Sequence, residues 1–111
     1  MSNVMYHYTS QQGLRSIIDS KLINPSLKAN NPKDARFGDG QYLSDIIPST
    51  KRPSQLSQIF FGLPWAGHRF THQITLNVAE LDVIYGRKNV YVVLNSDPLD
   101  ISGILIKHGI H

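Results

Sequence analysis

Cysteine is absent from the 111 residues of this chain. That excludes disulfides, zinc–thiolate centres and thiol nucleophiles, and leaves packing and hydrogen bonds to hold the fold. A protein working in a reducing cytosol has this composition, and so do many others. Glutamate is nearly absent: Glu80 stands alone beside seven aspartates. Any acid chemistry late in the chain therefore falls to an aspartate. No apolar stretch approaches the roughly 20 residues that span a bilayer. Met1-Ser2-Asn3-Val4-Met5 lacks the basic and apolar regions of a signal peptide. There is no Lys/Arg block, no internal repeat and no low-complexity segment. The excess of 11 Lys+Arg over 8 Asp+Glu, a net charge of +3, favours anionic ligands but marks no nucleic-acid surface. His68, His72, His108 and His111 show no tight ligand spacing, and the His68/His72 pair straddles a loop and a strand start. No metal site is expected.

What is present fits one domain over residues 1–111, with an ordinary hydrophobic share of 41%. Val4 to Tyr8 alternates and is rich in β-formers, so it reads as a strand. Ser10 is a good N-cap, and Leu14, Ile17, Ile18 and Leu22 recur at helical spacing; the pattern predicts a helix over about Ser10 to Lys21. Ile23 to Ser26 reads as a short extended piece. Residues 28–41 are polar and rich in Gly, Pro and Asn, hence a loop. Gln41 to Ile46 reads as a strand. Gln55 to Phe61 reads as a second helix, with Pro53 in its first turn and Gly62 ending it. Gly62 to Gly67 is another loop. Thr71 to Val78 reads as a central strand, Val83 to Tyr85 and Val90 to Leu94 as two short ones, and Ile101 to Ile106 as a final apolar stretch. The layout is α+β: two small packed sheets with flanking helices.

Two segments carry the chemistry. Tyr6-His7-Tyr8-Thr9-Ser10 is a polar-tipped strand. Gly38-Asp39-Gly40-Gln41-Tyr42-Leu43-Ser44-Asp45 is a Gly-x-Gly-x-Tyr run. A dinucleotide site needs an aromatic platform, partners for ribose hydroxyls, and backbone close to the ring amide. Gly38 and Gly40 offer close backbone approach, Tyr42 an aromatic face, and His7 a hydrogen-bonding group. Alone, Gly38-Asp39-Gly40 reads as a loop before a strand. It is not a Rossmann fingerprint, because the third glycine is missing and a strand follows where a helix should. Phe60, Phe61 and Trp65 are assigned to the core or to the wall of the pocket.

In this order and with this gap, the two segments resemble the NAD-binding core of the diphtheria-toxin-like transferases and poly(ADP-ribose) polymerases. The resemblance is closer still to the ADP-ribosyltransferase toxins named for a His, Tyr and Asp signature. It covers most of residues 6–46: the Tyr-His-Tyr-Thr strand, the helix around Gly13-Leu14-Arg15-Ser16-Ile17, and the run from Asp34-Ala35-Arg36-Phe37 through Ile46. It implies an ADP-ribosyltransferase-like fold and NAD as co-substrate. By position, His7 would bond the nicotinamide ribose, the Tyr8 backbone would hold the carboxamide, and Tyr42 would stack on the ring. Gly40 belongs to the same binding run, Arg36 would reach the pyrophosphate, and Thr9, Ser49 and Thr50 would make second contacts. Asp100, in a Pro-Leu-Asp motif, is the first candidate for the catalytic acid, ahead of Asp97 and Asp82.

The activity so implied is cleavage of the nicotinamide–ribose bond and transfer of ADP-ribose to a protein or RNA target. A carboxylate would stabilise the oxocarbenium-like sugar that forms. An NAD glycohydrolase, and a catalytically inactive NAD- or RNA-binding module on the same fold, stay open as alternatives. The resemblance also implies a bacterial effector, acting in its own cytoplasm or in a target-cell cytosol, with an immunity protein in the producing cell.

Overall fold

The computed structural model describes residues 3–30, 32 and 35–111. Asp34, at the head of the loop motif quoted above, and Met1 and Ser2 lie outside them. The chain begins with β1 (Val4–Thr9) and turns at Ser10 into α1 (Gln11–Ser20). The Ser10 hydroxyl accepts the Gly13 N–H at 3.1 Å, which satisfies one orphan donor of the first turn. Lys21 ends the helix in a left-handed conformation, φ 59°, and its N–H closes on the Ile17 carbonyl. The two-residue β2 (Leu22–Ile23) and a long loop lead to β3 (Gly40–Leu43). The helix α2 (Pro53–Phe61) opens with proline at its first position and closes at Gly62, φ 73°. Then come β4 (His72–Asn77), β5 (Val83–Arg87), β6 (Val90–Leu94), β7 (Leu99–Asp100) and β8 (Leu105–Ile110).

The α+β class holds. There are three small antiparallel sheets where two were expected: two of three strands, ordered β1-β4-β8 and β3-β6-β5, and a β2-β7 pair whose strands are too short to show as a sheet in the pattern. The main core lies between the sheets and α1: Ile17, Ile23, Leu43, Ile74, Leu76, Val93 and Ile101 are buried together. Gln41 ties the small pair to this core, its side-chain amide donating to the carbonyls of Ile23 and Asp97. A second cluster, Tyr8, Ile46, Leu56 and Phe70, packs under α2.

Three stretches depart from the sequence pattern. Residues read as a loop form a 3₁₀ segment, Pro64–Phe70. Ser57 of α2 holds it, donating to the Leu63 carbonyl and accepting the Ala66 N–H. The strand β5 runs through Gly86 to Arg87, because a bulge between Tyr85 and Arg87 lets the ladder continue to Val90. Asn89, at φ 68°, then makes the turn. The last strand begins at Leu105, after β7 and a turn built on Ile101. No helix of the described residues is long and apolar enough to cross a membrane.

Candidate active site

Among the described residues, main-chain hydrogen bonds join the two three-stranded sheets at one point. Tyr6 and Ser44 exchange both main-chain hydrogen bonds, at 2.9 and 2.8 Å, and form an isolated antiparallel bridge between β1 and the end of β3. Beyond it the strands part. Strand alternation sends the N–H and C=O of Tyr8 to the same side as those of Tyr6. No hydrogen bond joins them to β3 among the described residues. The split is crossed instead by a side chain: His7 Nδ1 lies 3.0 Å from the Tyr42 carbonyl oxygen. A carbonyl only accepts, so Nδ1 carries the proton and Nε2 is left as an acceptor. Burial lowers the His7 pKa below its ordinary value, against the opposing pull of the Tyr42 carbonyl. The neutral tautomer is therefore the form present at pH 7.

A cavity of about 140 Å³ opens at this split and is lined by His7, Tyr8, Tyr42, Arg36 and Phe37 among others. Tyr42 is fixed at both ends. Its hydroxyl accepts the Phe37 N–H at 2.9 Å and donates to the Gly38 carbonyl at 2.8 Å, tying the ring to the loop that carries Arg36. Burial raises the Tyr42 pKa, and the nearby Asp39 adds to this against the Phe37 and Gly38 hydrogen bonds. Phe37 itself lies on Gly86: a Cβ there would sit 2.7 Å from the ring. Tyr8 anchors the floor by donating to the Ile46 carbonyl at 2.6 Å, and burial drives its pKa well above the usual phenol value. Phe60, Phe61 and Phe70 form the apolar wall.

The electrostatics of the lining are one-sided. Arg36, Arg69 and Arg87 all reach it, and no carboxylate of the described residues does. Arg69 lies over the Phe61 ring, 4.7 Å from its centroid. Arg87 Nη2 donates to the carbonyls of Ile59 and Phe60, at 2.8 and 2.9 Å, in the last turn of α2. Those carbonyls have no partner within the helix, so the guanidinium caps it and is held in place by it. No group of three or more metal-ligating side chains occurs among the described residues.

The structure brings His7, Tyr8, Tyr42 and Arg36 to one cavity. It places the other candidates elsewhere. A Cβ on Gly40 would lie 2.0 Å from the Val93 carbonyl oxygen, so its close approach is to β6. Its main chain pairs with Ser26. Thr9 faces Gly13 at the start of α1. Ser49 donates its N–H to His111, and Thr50 bonds the Ile47 carbonyl. Asp100 lies on β7, exposed, and accepts the N–H and hydroxyl of Ser102 at 2.9 and 2.6 Å. Those two bonds hold its pKa below the ordinary carboxylate value. Asp97 and Asp82 are exposed and likewise absent from the lining. The assignment of Trp65 to core or pocket wall is corrected: it is 73% exposed, carried outward by the 3₁₀ segment. Arg69 and Arg87 are the charged cavity residues that sequence reading passed over. Arg87 sat in what looked like a turn, and only the bulge that extends β5 reveals it.

A family model matches residues 5–104, that of HYD1-signature-containing ADP-ribosyltransferases, a family of toxin domains. The chain belongs to this family. No curated protein and no solved structure matches it.

Proposed function

We propose that this member of the HYD1 family binds NAD in the cleft between β1 and β3 and breaks its nicotinamide–ribose bond, passing ADP-ribose to a macromolecular target. The observation that supports this most is the unzipped sheet edge. Just past the Tyr6–Ser44 bridge it sets the main chain of Tyr8, the imidazole of His7 and the ring of Tyr42 around one cavity. The carboxamide is a donor and acceptor in one plane, and the Tyr8 N–H and C=O are its complement. The ring stacks on Tyr42. A ribose hydroxyl donates to His7 Nε2. The cavity is smaller than the roughly 300–1,000 Å³ of sites that enclose a drug-sized ligand. It suits the nicotinamide end alone, and the phosphates would lie outward, toward Arg36.

When the glycosidic bond breaks, its electron pair leaves with nicotinamide, which becomes neutral. The sugar is left cationic until a nucleophile of the target attacks. Asp100 is proposed to stabilise that charge, but its carboxylate faces Ser102 here, so this role rests on the family resemblance alone. A second reading, NAD binding without turnover, is favoured by the lack of any carboxylate in the described lining.

The test is nicotinamide release from labelled NAD, with and without lysate. Release that needs lysate, with label appearing on protein or RNA, supports transfer. Release in buffer alone makes the protein a glycohydrolase. Binding without release selects the second reading, and no binding removes the proposal.

A further inference from the structure

The net charge of +3 is not spread evenly. No carboxylate occurs between Asp45 and Glu80, and that stretch holds Lys51, Arg52 and Arg69; the rest of the chain balances, so these three are the whole excess. The fold gathers them into one lobe, in which α2 and the 3₁₀ segment pack together over Leu56 and Phe70. A Cβ on Gly67 would lie 3.0 Å from the Ser54 nitrogen, so the middle of the segment rests on the first turn of α2, directly after Lys51 and Arg52. Lys51, Arg52, His68 and Arg69 are all exposed. Arg69 also lines the cavity, its guanidinium over the Phe61 ring, so the cationic surface runs up to the cavity rim.

Trp65, the one tryptophan of the chain, stands on this lobe. Its indole is largely exposed and makes no hydrogen bond or ring contact among the described residues. Its backbone is nonetheless clamped. The fully buried Ser57 bonds the Leu63 carbonyl and the Ala66 N–H, on either side of Trp65. An aromatic face held on a fixed backbone loses little freedom when a planar partner stacks on it. No other large apolar side chain of α2 or the 3₁₀ segment is exposed. A protein interface has a contiguous apolar core. A lone aromatic face among cations is instead the arrangement that holds a single nucleic-acid strand, whose bases stack while its phosphates meet Lys and Arg.

We infer that this lobe docks single-stranded nucleic acid, with a base stacked on Trp65 and phosphates on Lys51 and Arg52, and that the strand so held is the acceptor presented to the cavity. The acceptor role rests on the transferase reading; the docking stands without it. In the transfer, an oxygen or nitrogen of the strand bonds to C1′ of the ribose as the bond to nicotinamide breaks. Nicotinamide keeps the electron pair, and the proton of the attacking group passes to water.

The single tryptophan makes the contact visible. The probe is single-stranded RNA of about a dozen nucleotides, within the usual footprint of such sites. Titrated into the wild type, it should quench Trp65 emission, and the duplex of the same sequence should bind more weakly. By anisotropy of a labelled strand, Trp65→Ala should weaken binding by about tenfold and Trp65→Phe much less, because stacking needs only the face. Lys51→Ala should flatten the slope of log affinity against log salt by about 0.7. Lys107→Ala, the same charge lost on β8, should leave affinity near wild type. Thermal melts check that each variant is folded. Salt-dependent binding without quenching would overturn the docking, as would equal losses from Lys51→Ala and Lys107→Ala. Polyglutamate that binds more tightly than the strand would overturn it too, in favour of an acidic protein. The last arm adds labelled NAD to the bound strand. Label on the strand supports the acceptor role, and an unlabelled strand overturns it. If NAD is then neither bound nor cleaved, the transferase reading has failed and the docking stands. NAD cleavage with label on lysate protein, and no strand bound, overturns the docking and keeps the transferase reading.

Discussion

Replacing Tyr42 by phenylalanine removes one oxygen and two hydrogen bonds. The hydroxyl accepts from Phe37 N–H and donates to the Gly38 carbonyl. Without it both main-chain groups lose their partner. Each such bond contributes about 0.5–1.5 kcal/mol net. Tyr42 is half-buried, so water can reach part of the vacated space, and the pair together should cost about 1–2 kcal/mol. Unfolding entropy near 2.1 cal/mol/K per residue implies that the melting temperature falls by roughly 4–9 °C for a chain of this size. Function should follow, because the loop held by that hydroxyl carries Arg36 and Phe37. The ring face is retained, so stacking survives. The NAD KM should rise several-fold with kcat little changed, since a loosened loop weakens binding more than chemistry. Tyr42→Ala loses the same bonds and also the platform, worth roughly 1 kcal/mol more beyond area burial. The assays are a thermal melt and steady-state nicotinamide release for both variants. A Tyr42→Phe protein that melts within 1 °C of wild type with unchanged KM would refute the claim that the hydroxyl organises the loop. If instead the two variants lose NAD equally, the aromatic face contributes nothing.

His7 and His111 both have pKa values lowered by burial. The folded state then binds fewer protons than the unfolded one as pH falls below about 6.5, so stability should drop from there until the folded pKa values are passed. Melts between pH 7.5 and 4.5 should show the loss, and His7→Gln should reduce its slope. NAD affinity should hold at first and fall only at the lower end of that range, as pH passes the lowered folded-state pKa of His7, because a protonated His7 can no longer accept a ribose hydroxyl. Asp100→Asn separates a turn clamp from a catalytic acid: a roughly hundredfold fall in single-turnover cleavage with NAD affinity unchanged supports the acid. A small effect confined to the melt would leave Asp100 as the residue that holds Ser102. Leu56 is fully buried behind the cavity wall, and Leu56→Ala should cost about 2–5 kcal/mol by denaturant unfolding. Gly86→Ala drives a methyl into Phe37 and should cost about 1–3 kcal/mol, with weaker NAD binding than Trp65→Ala, which should be near wild type.

Local patterns in the sequence were enough for the elements that bear the site. Alternation through Val4 to Tyr8 defines β1, Ser10 is a helix cap by its chemistry, and Pro53 and Gly62 bracket α2 because one lacks an N–H and the other tolerates a left-handed backbone. His7, in a polar-tipped strand, and Tyr42, in a Gly-x-Gly-x-Tyr run, are candidates by their chemistry, and the family resemblance supplies their roles. Their meeting is a tertiary event. It depends on the isolated Tyr6–Ser44 bridge at the edge of β1 that β4 does not occupy, and a contact such as His7–Tyr42, across 35 residues, has no local signature. Gly40 misleads for a related reason: the backbone it admits is that of β6, which no spacing discloses. Arg69 and Arg87 reach the cavity only through a 3₁₀ segment pinned by Ser57 and a bulged strand, both products of packing. Asp100 joins a pair with β2 that turns its carboxylate onto Ser102. A sequence shows which residues have the chemistry; the directions their side chains take depend on which strands pair, and that is decided by burial of the two cores.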